Sequence, residues 1–491
     1  MSKPSSSMSV LKTSVLLSPL LNGALTSHAQ LQSLFETSCL VHGIQKLQQC
    51  IFNPIHRAVE NITWLHHGLF VLHVLSLMGV LLLTTFASTN MIAASVVGAF
   101  LILLLRLLTK PIRIQLTMVD VLVSVFFLTA ILATAFSSYL HTSVIGLAKF
   151  MVFYLGFWNF RLLIGENRSA LLWFLGALMI LGLGESLVGF YQHIHHVQPL
   201  ATWQDPSVNP EDQLTRIFGT LQPSNPNLLA GFLIPCLTAG IGLKLLSLTT
   251  TKKWLALPVS GINLLMLAAL VMTGSRGGYL AILVMAVTMF LMLGHLLWHE
   301  PALKTHHKLK AAWVLAGISA CAAVVFALAF LSPIRNRFLS IFAMREDSSN
   351  SYRLNVWASV WKMIKDNWWM GIGPGNNTFK LVYGLYMVPG YNALSAYSIF
   401  LEMWVEQGIL GLLAFLCMLV MGFLRTLVGF YSAAPLANKL LLGTLFTGIL
   451  GSVVYGLFDT IWYRPSVNLL FWLLVAGLSV SSEEALSFAT L

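Results

Sequence analysis

Twelve stretches of roughly 20 mostly apolar residues, separated by short connections, dominate this chain and leave a membrane-spanning bundle as the fold that can bury them. An unsatisfied backbone N–H or C=O in hydrocarbon costs several kcal/mol, so runs of this length form helices that close their own hydrogen bonds. The runs lie near 64–86, 91–108, 118–136, 143–162, 170–190, 227–249, 254–273, 278–298, 311–332, 408–430, 438–458 and 467–481. The expected class is an all-α polytopic membrane protein of about 12 transmembrane helices. Hydrophobic residues make up 57% of the chain and charged residues only 9%, which argues against a water-soluble domain.

Basic residues concentrate in alternate connections: Arg106, Lys110 and Arg113, then Arg161 and Arg168, then Lys244, Lys252 and Lys253, then Lys304, Lys308 and Lys310, then Arg425 and Lys439. Because cytoplasmic connections carry the excess of Lys and Arg, both termini are expected on the cytoplasmic side. The formal charge of +11 reflects these clusters and their contacts with anionic membrane lipids; no nucleic-acid-binding module is legible, and nucleic acid is not an expected partner. The organisation follows: 1–62 a Ser-rich cytoplasmic extension, 63–332 the first nine spans, 333–400 a long outer loop, and 401–491 the last three spans with a short tail. The extension lacks the pattern of a cleaved signal peptide. Asn61-Ile62-Thr63 fits a glycosylation acceptor by pattern only, and on the cytoplasmic side it is discounted. The five cysteines, Cys39, Cys50, Cys236, Cys321 and Cys417, show no pairing or metal spacing.

Within the long outer loop, Leu354, Trp357, Trp361 and Ile364 recur at helical spacing with Arg353, Lys362 and Lys365 off that stripe, which predicts an interfacial helix. Ser349 or Asn350 would cap it, and Trp368-Trp369-Met370-Gly371 would anchor and stop it. No internal repeat suggests the inverted halves common in secondary transporters.

The polar residues that invite a chemical reading collect on the outer side. Arg276 lies in Thr273-Gly274-Ser275-Arg276-Gly277-Gly278, a turn between two apolar runs. A guanidinium near hydrocarbon costs about 2.5–3.5 kcal/mol on the insertion scale, so it is either a snorkelling helix-end cation or part of an anion site. Arg216-Ile217-Phe218-Gly219-Thr220 precedes Asn225-Pro226-Asn227, where an Asn cap and a Pro in the first turn start a helix whose free amides favour an anion. Gly371-Ile372-Gly373-Pro374-Gly375-Asn376 permits close approach of a ligand but lacks the Lys and Ser/Thr of a nucleotide-binding loop.

Ser398, Glu402 and Glu406 fall on one helical face; the two carboxylates would pair with the arginines, act as an acid/base pair, or face solvent. Lys149, Glu185 and Asp459 are the ionisable residues within spans, with Lys149 placed to satisfy Glu185 across two helices and Asp459 to pair with Arg464 near Tyr463. His193, His195 and His196 with Asp205 lack the second ligand motif of a typical zinc site, so neither a metal nor a cofactor is expected.

In order, Arg216…Gly219-Thr220…Asn225-Pro226-Asn227, Ser275-Arg276-Gly277, Arg353…Trp357…Gly371-Ile372-Gly373-Pro374-Gly375 and Glu406-Gln407-Gly408…Gly411-Leu412-Leu413 resemble the O-antigen ligase and polymerase superfamily over roughly 120–480. Arg345-Glu346-Asp347-Ser348-Ser349-Asn350, Leu394-Ser395-Ala396-Tyr397-Ser398 and Gly456-Leu457-Phe458-Asp459-Thr460 look like the cyanobacterial IctB-type proteins, described as bicarbonate transporters or inorganic-carbon accumulation factors.

The closer resemblance implies an outward-facing anion-binding cavity linked to bicarbonate accumulation, in the plasma or thylakoid membrane of a cyanobacterium. The broader one implies a metal-independent glycosyltransferase that moves a glycan from a polyprenyl-pyrophosphate donor to a lipid or polymer acceptor. In either case Arg216, Arg276 and Arg353 would bind the anion, with Asn225, Asn227, Gly373, Gly375, Glu406 and Asp459 in support and membrane proteins as further partners. The ligases' loop histidine falls at Tyr397, a phenol that titrates near 10 and is a poor base, so Glu402 stands as the substitute for proton transfer. A non-catalytic accessory subunit of a membrane complex is also compatible with these residues.

Overall fold

The computed structural model describes residues 25–26, 30, 53–110, 115–197, 216–339, 348–459 and 463–488. Among the described residues it is all helical. A short helix α1 (Asn53–Val59) precedes α2 (Thr63–Phe86), α3 (Thr89–Thr109), α4 (Met118–Ala135), α5 (Leu140–Glu166) and α6 (Ser169–Ile194). After the Arg216 segment come α7 (Pro226–Thr249), α8 (Ala256–Met272), α9 (Arg276–His299) and α10 (His307–Phe330). The long loop carries α11 (Ser332–Leu339), α12 (Ser348–Asn367) and α13 (Asn376–Tyr383), and α14 (Ile399–Tyr431), α15 (Leu436–Gly456) and α16 (Pro465–Ser487) complete the bundle. Twelve of these helices are long and apolar enough to cross a membrane, as the apolar runs predict.

The centre of the bundle is α16 and α7. The most apolar window of α16 is 89% buried and that of α7 78%, whereas none of α10 is buried, which puts α10 at the rim. Trp472 of α16 sits in a cage of Phe126, Phe127, Phe157 and Phe471. In lipid, where apolar burial drives little association, such packing is what holds helices together.

At the end of the bundle away from the long loop, basic residues of the connections are paired. Arg161 meets Asp120 at 2.9 Å and Arg425 meets Glu483 at 2.9 Å, while Lys439 meets Glu300 at 2.7 Å. Arg106 bonds Nδ1 of His73 at 2.8 Å and also pairs with Glu166. Asp120 serves twice, since it also closes a capping box with Thr117 at the start of α4. Lys149 is exposed, and Glu185 accepts from Thr220 rather than from Lys149, so the expected cross-helix pair does not form.

Two features of the long loop differ from expectation. The buried face of α12 is Val356, Val360, Met363 and Ile364, packed on Phe379, Val382 and Tyr383, because the loop holds a small core of its own. Trp361 of the expected stripe instead faces out against Trp404, with ring centroids 5.4 Å apart. Helix α14 begins at Ile399, ahead of the expected 408, and is broken at Gly408 (φ 66°, ψ −170°).

The Gly-rich segment stitches that break. The amides of Ile372 and Gly373 donate to the carbonyls of Val405 and Glu406 at 2.9 and 3.0 Å, and Ile409 N donates to Trp368 O at 2.9 Å. A Cβ on Gly408 would run into the Trp369 carbonyl. The glycines of 371–375 therefore permit close approach of protein backbone: Gly375 lies against Gly146 of α5 and Gly373 against Ser137 and Ser143.

Candidate functional site

Arg216 is anchored by two neighbours. Its Nε donates to the carbonyl of Thr273 at 2.7 Å and its Nη2 to Oδ1 of Asn227 at 2.7 Å. Thr273 stands three positions before Arg276, and Gly274 (φ 61°) lets the turn fold against the Arg216 side chain. The segments that carry Arg216 and Arg276 thus share one turn.

Two helix N-termini start at this turn. Asn225 caps α7 by accepting from Asn227 N at 2.8 Å, with Pro226 in the first turn, and Ser275 caps α9 by accepting from Gly278 N at 3.4 Å. Both helices present their positive dipole ends beside an arginine.

Tyr455, fully buried near the end of α15, joins the two starts. Its hydroxyl donates to the carbonyl of Asn227 at 2.5 Å, the Ser275 hydroxyl lies 3.4 Å from it, and Gly277 packs on its ring. Tyr455 also lies within electrostatic reach of Arg216, Arg353 and Asp459. Sequence reasoning missed it; a tyrosine at the end of an apolar run is the available signal, because a buried phenol needs a partner for its hydroxyl.

The loop adds the opposite wall. Trp357 donates from Nε1 to the carbonyl of Ala396 at 3.0 Å and its ring meets Phe458 at 6.3 Å, which brings α12 up to the end of α15. Tyr397 stands edge-on to Tyr352 at 5.6 Å and interacts with Arg353 and Asp459. Arg464, just ahead of α16, interacts with Asp459 and Tyr397. Burial, opposed by Asp459 and Tyr397, lowers the Arg464 guanidinium from its ordinary value. Arg216, Arg353 and Arg464 thus gather around Tyr455 and Asp459, and Arg276 starts α9 one residue before Gly277, which packs on the Tyr455 ring. Three arginines against Asp459 make the cluster electropositive.

Tyr397 is held at φ 50°, a left-handed backbone that a bulky residue seldom adopts. Burial first, then Tyr352, pushes its phenol above the ordinary value. In this setting the hydroxyl donates hydrogen bonds and does not serve as a base at neutral pH.

Glu402 and Glu406 gather on Tyr463, the residue before Arg464. Both are fully buried in the first two turns of α14, with Tyr463 beside both carboxyls and the Gly375 amide on Glu406 at 3.2 Å. Burial and these two glutamates push the Tyr463 hydroxyl well above the ordinary phenol value. The pair neither faces solvent nor meets Arg216, and Gly373 and Gly375 sit with it at the α14 break rather than at the Arg216 turn. Among the described residues no group of three or more His, Cys, Asp or Glu is placed to hold a metal; His193, His195 and His196 are exposed, and Asp205 lies outside the described residues.

A comparison with curated proteins finds no match. Residues 261–416, from α8 through the Gly408 break, match the family profile described as O-Antigen ligase. That match speaks for the broader of the two resemblances and not for the IctB-type branch. With its twelve candidate spans, the chain is a polytopic membrane protein related to the O-antigen ligase superfamily.

Proposed function

We propose that the protein is a metal-independent membrane enzyme that transfers a glycan from a polyprenyl-pyrophosphate donor to a hydroxyl of a lipid or polymer acceptor on the outer face of the membrane. The observation that carries this reading is the shared turn of Arg216 and Arg276 at two helix N-termini, inside or beside the segment related to O-antigen ligase. In the reaction the acceptor oxygen bonds to C1 of the donor sugar as the bond from C1 to the pyrophosphate oxygen breaks. Arg216, Arg276 and Arg353 take up the charge that grows on the leaving pyrophosphate, an effect of several kcal/mol in related chemistry. Asp459, the carboxylate among these arginines, receives the acceptor proton; buried Glu402 and the raised phenol of Tyr397 are less suited.

The test is binding of a short polyprenyl pyrophosphate to the purified protein in nanodiscs, beside Arg216→Ala and Arg276→Ala and a bicarbonate-uptake arm in proteoliposomes. The reading expects saturable pyrophosphate binding that falls at least about tenfold in each variant, a loss of about 1.4 kcal/mol. Bicarbonate uptake lost in the variants, with no pyrophosphate binding, would replace it with an inorganic-carbon role for the same arginines.

A further inference from the structure

Arg216 belongs to a segment of irregular backbone, and its direction is set from α6. Glu185 and Gln192 lie seven residues apart on that helix, two turns, and so face the same way. Gln192 Oε1 accepts from the amides of Phe218 and Gly219 at 3.0 and 2.9 Å, while its Nε2 donates to the Gly219 carbonyl at 2.8 Å. Glu185 accepts from the amide of Thr220 at 2.8 Å and from its hydroxyl at 2.5 Å. Gly219 turns at φ 67°, and a Cβ there would strike the Glu185 carboxylate.

Two buried side chains therefore satisfy the backbone of three consecutive residues that no helix or strand satisfies, and Arg216 begins two positions earlier. Buried backbone groups demand partners, so this contact fixes the path of the segment. The next anchor, Ile217 N to Met272 O at 3.4 Å, is long by comparison.

We infer that Glu185 and Gln192 are positioning residues: together they form a latch that aims Arg216 at the Thr273–Arg276 turn, and so they govern affinity for a pyrophosphate-bearing lipid without touching it. This rests on the proposed pyrophosphate role of Arg216. The latch works through hydrogen bonds and not through the charge of Glu185. A Gln at 185 can accept from the Thr220 amide and donate to its hydroxyl, which itself reaches the Thr85 carbonyl at 2.9 Å. A Glu at 192 loses the donor to Gly219 O and sets two acceptors against each other.

The experiment reads hydrogen–deuterium exchange over residues 216–224 and binding of farnesyl pyrophosphate in nanodiscs, for wild type, Glu185→Gln, Gln192→Glu, Gln192→Ala and Thr220→Val. Thr220 is exposed, so its substitution tests the latch even if a buried variant fails to fold. Glu185→Gln is expected to match wild type in both readouts. Gln192→Glu, Gln192→Ala and Thr220→Val are expected to exchange faster in this segment and to bind about tenfold more weakly, with the exchange of the other helices unchanged.

Unchanged exchange in both Gln192 variants would overturn the latch, as would faster exchange with undiminished binding, or loss of binding in Glu185→Gln. If wild type does not bind farnesyl pyrophosphate, the functional reading fails, and the exchange data alone still decide whether the latch exists.

Discussion

The Tyr455 hydroxyl donates to the carbonyl of Asn227 at 2.5 Å, a bond between residues 228 positions apart that ties the end of α15 to the first turn of α7. Since Asn227 also receives Arg216, this bond transmits the position of α15 to the arginine.

Tyr455→Phe tests that link. It keeps the ring that packs on Gly277 and removes the bond to Asn227 together with the longer one from Ser275, so stability should fall by about 1–2 kcal/mol, read by thermal unfolding in detergent. Affinity for a pyrophosphate probe should fall with it. A variant as stable and as tightly binding as wild type would show that the bond has no mechanical role.

Arg216→Lys separates charge from geometry. The guanidinium reaches Thr273 O and Asn227 Oδ1 from two different nitrogens, a fork that a lysine ammonium does not reproduce. The lysine variant should therefore bind a pyrophosphate probe nearly as poorly as Arg216→Ala. Wild-type binding should weaken as salt is raised, since partly exposed charges are screened. Full rescue by lysine would reduce the site to net charge.

Asp459→Asn and Glu402→Gln distinguish the two candidate bases. Asp459→Asn is expected to abolish glycan transfer while donor binding is kept, and Glu402→Gln to leave the transfer rate within about threefold of wild type. The reverse pattern in a transfer assay would reassign the proton to the α14 carboxyl pair.

Gly408→Ala should be among the most damaging single changes. The added Cβ meets the Trp369 carbonyl, and φ of 66° is costly for alanine, so a loss of about 3 kcal/mol or more is expected, read as folded yield and thermal unfolding. Gly390 also has positive φ, 91°, but no atom lies within 4 Å of its Cβ position. Gly390→Ala should cost only the backbone term, about 1 kcal/mol.

Alkaline pH gives a further signature. The phenol of Tyr397 titrates higher in the folded protein than its ordinary value near 10, so the unfolded chain releases that proton first and stability falls as pH rises above about 10. The contribution is fully present below that point. In Tyr397→Phe the fall between pH 10 and 11 should be shallower in unfolding scans; an identical slope would place the phenol in a solvent-like setting.

The spans were legible because hydrocarbon demands about 20 apolar residues per crossing, and the pairing of Arg161 or Arg425 at one end fits the basic connections that sequence displays. Arg216 and Arg276 stood out as cations next to helix starts. Their sharing of one turn was not legible, since it depends on packing of α7 against α15 and on Tyr455, which looks like one more aromatic in an apolar run. The Gly371–Gly375 segment misled for a related reason: glycine announces a close approach without saying whether ligand or backbone makes it. Here the backbone of Gly146 does. Glu402 and Glu406 share a face as spacing predicts, yet that face turns to Tyr463, a partner supplied by the chain just before α16.

The stitched break at Gly408 makes the loop and the first two turns of α14 one mechanical piece. Backbone bonds on both sides of the glycine clamp 368–373 to 405–409, so a force on α12 reaches α14 without slack. The elements that carry Arg353 and Tyr397 are thereby held to the start of α14, and Gly373 and Gly375 pin that piece to the bundle at Ser143 and Gly146, so the spacing of this wall is set by glycines far from any arginine.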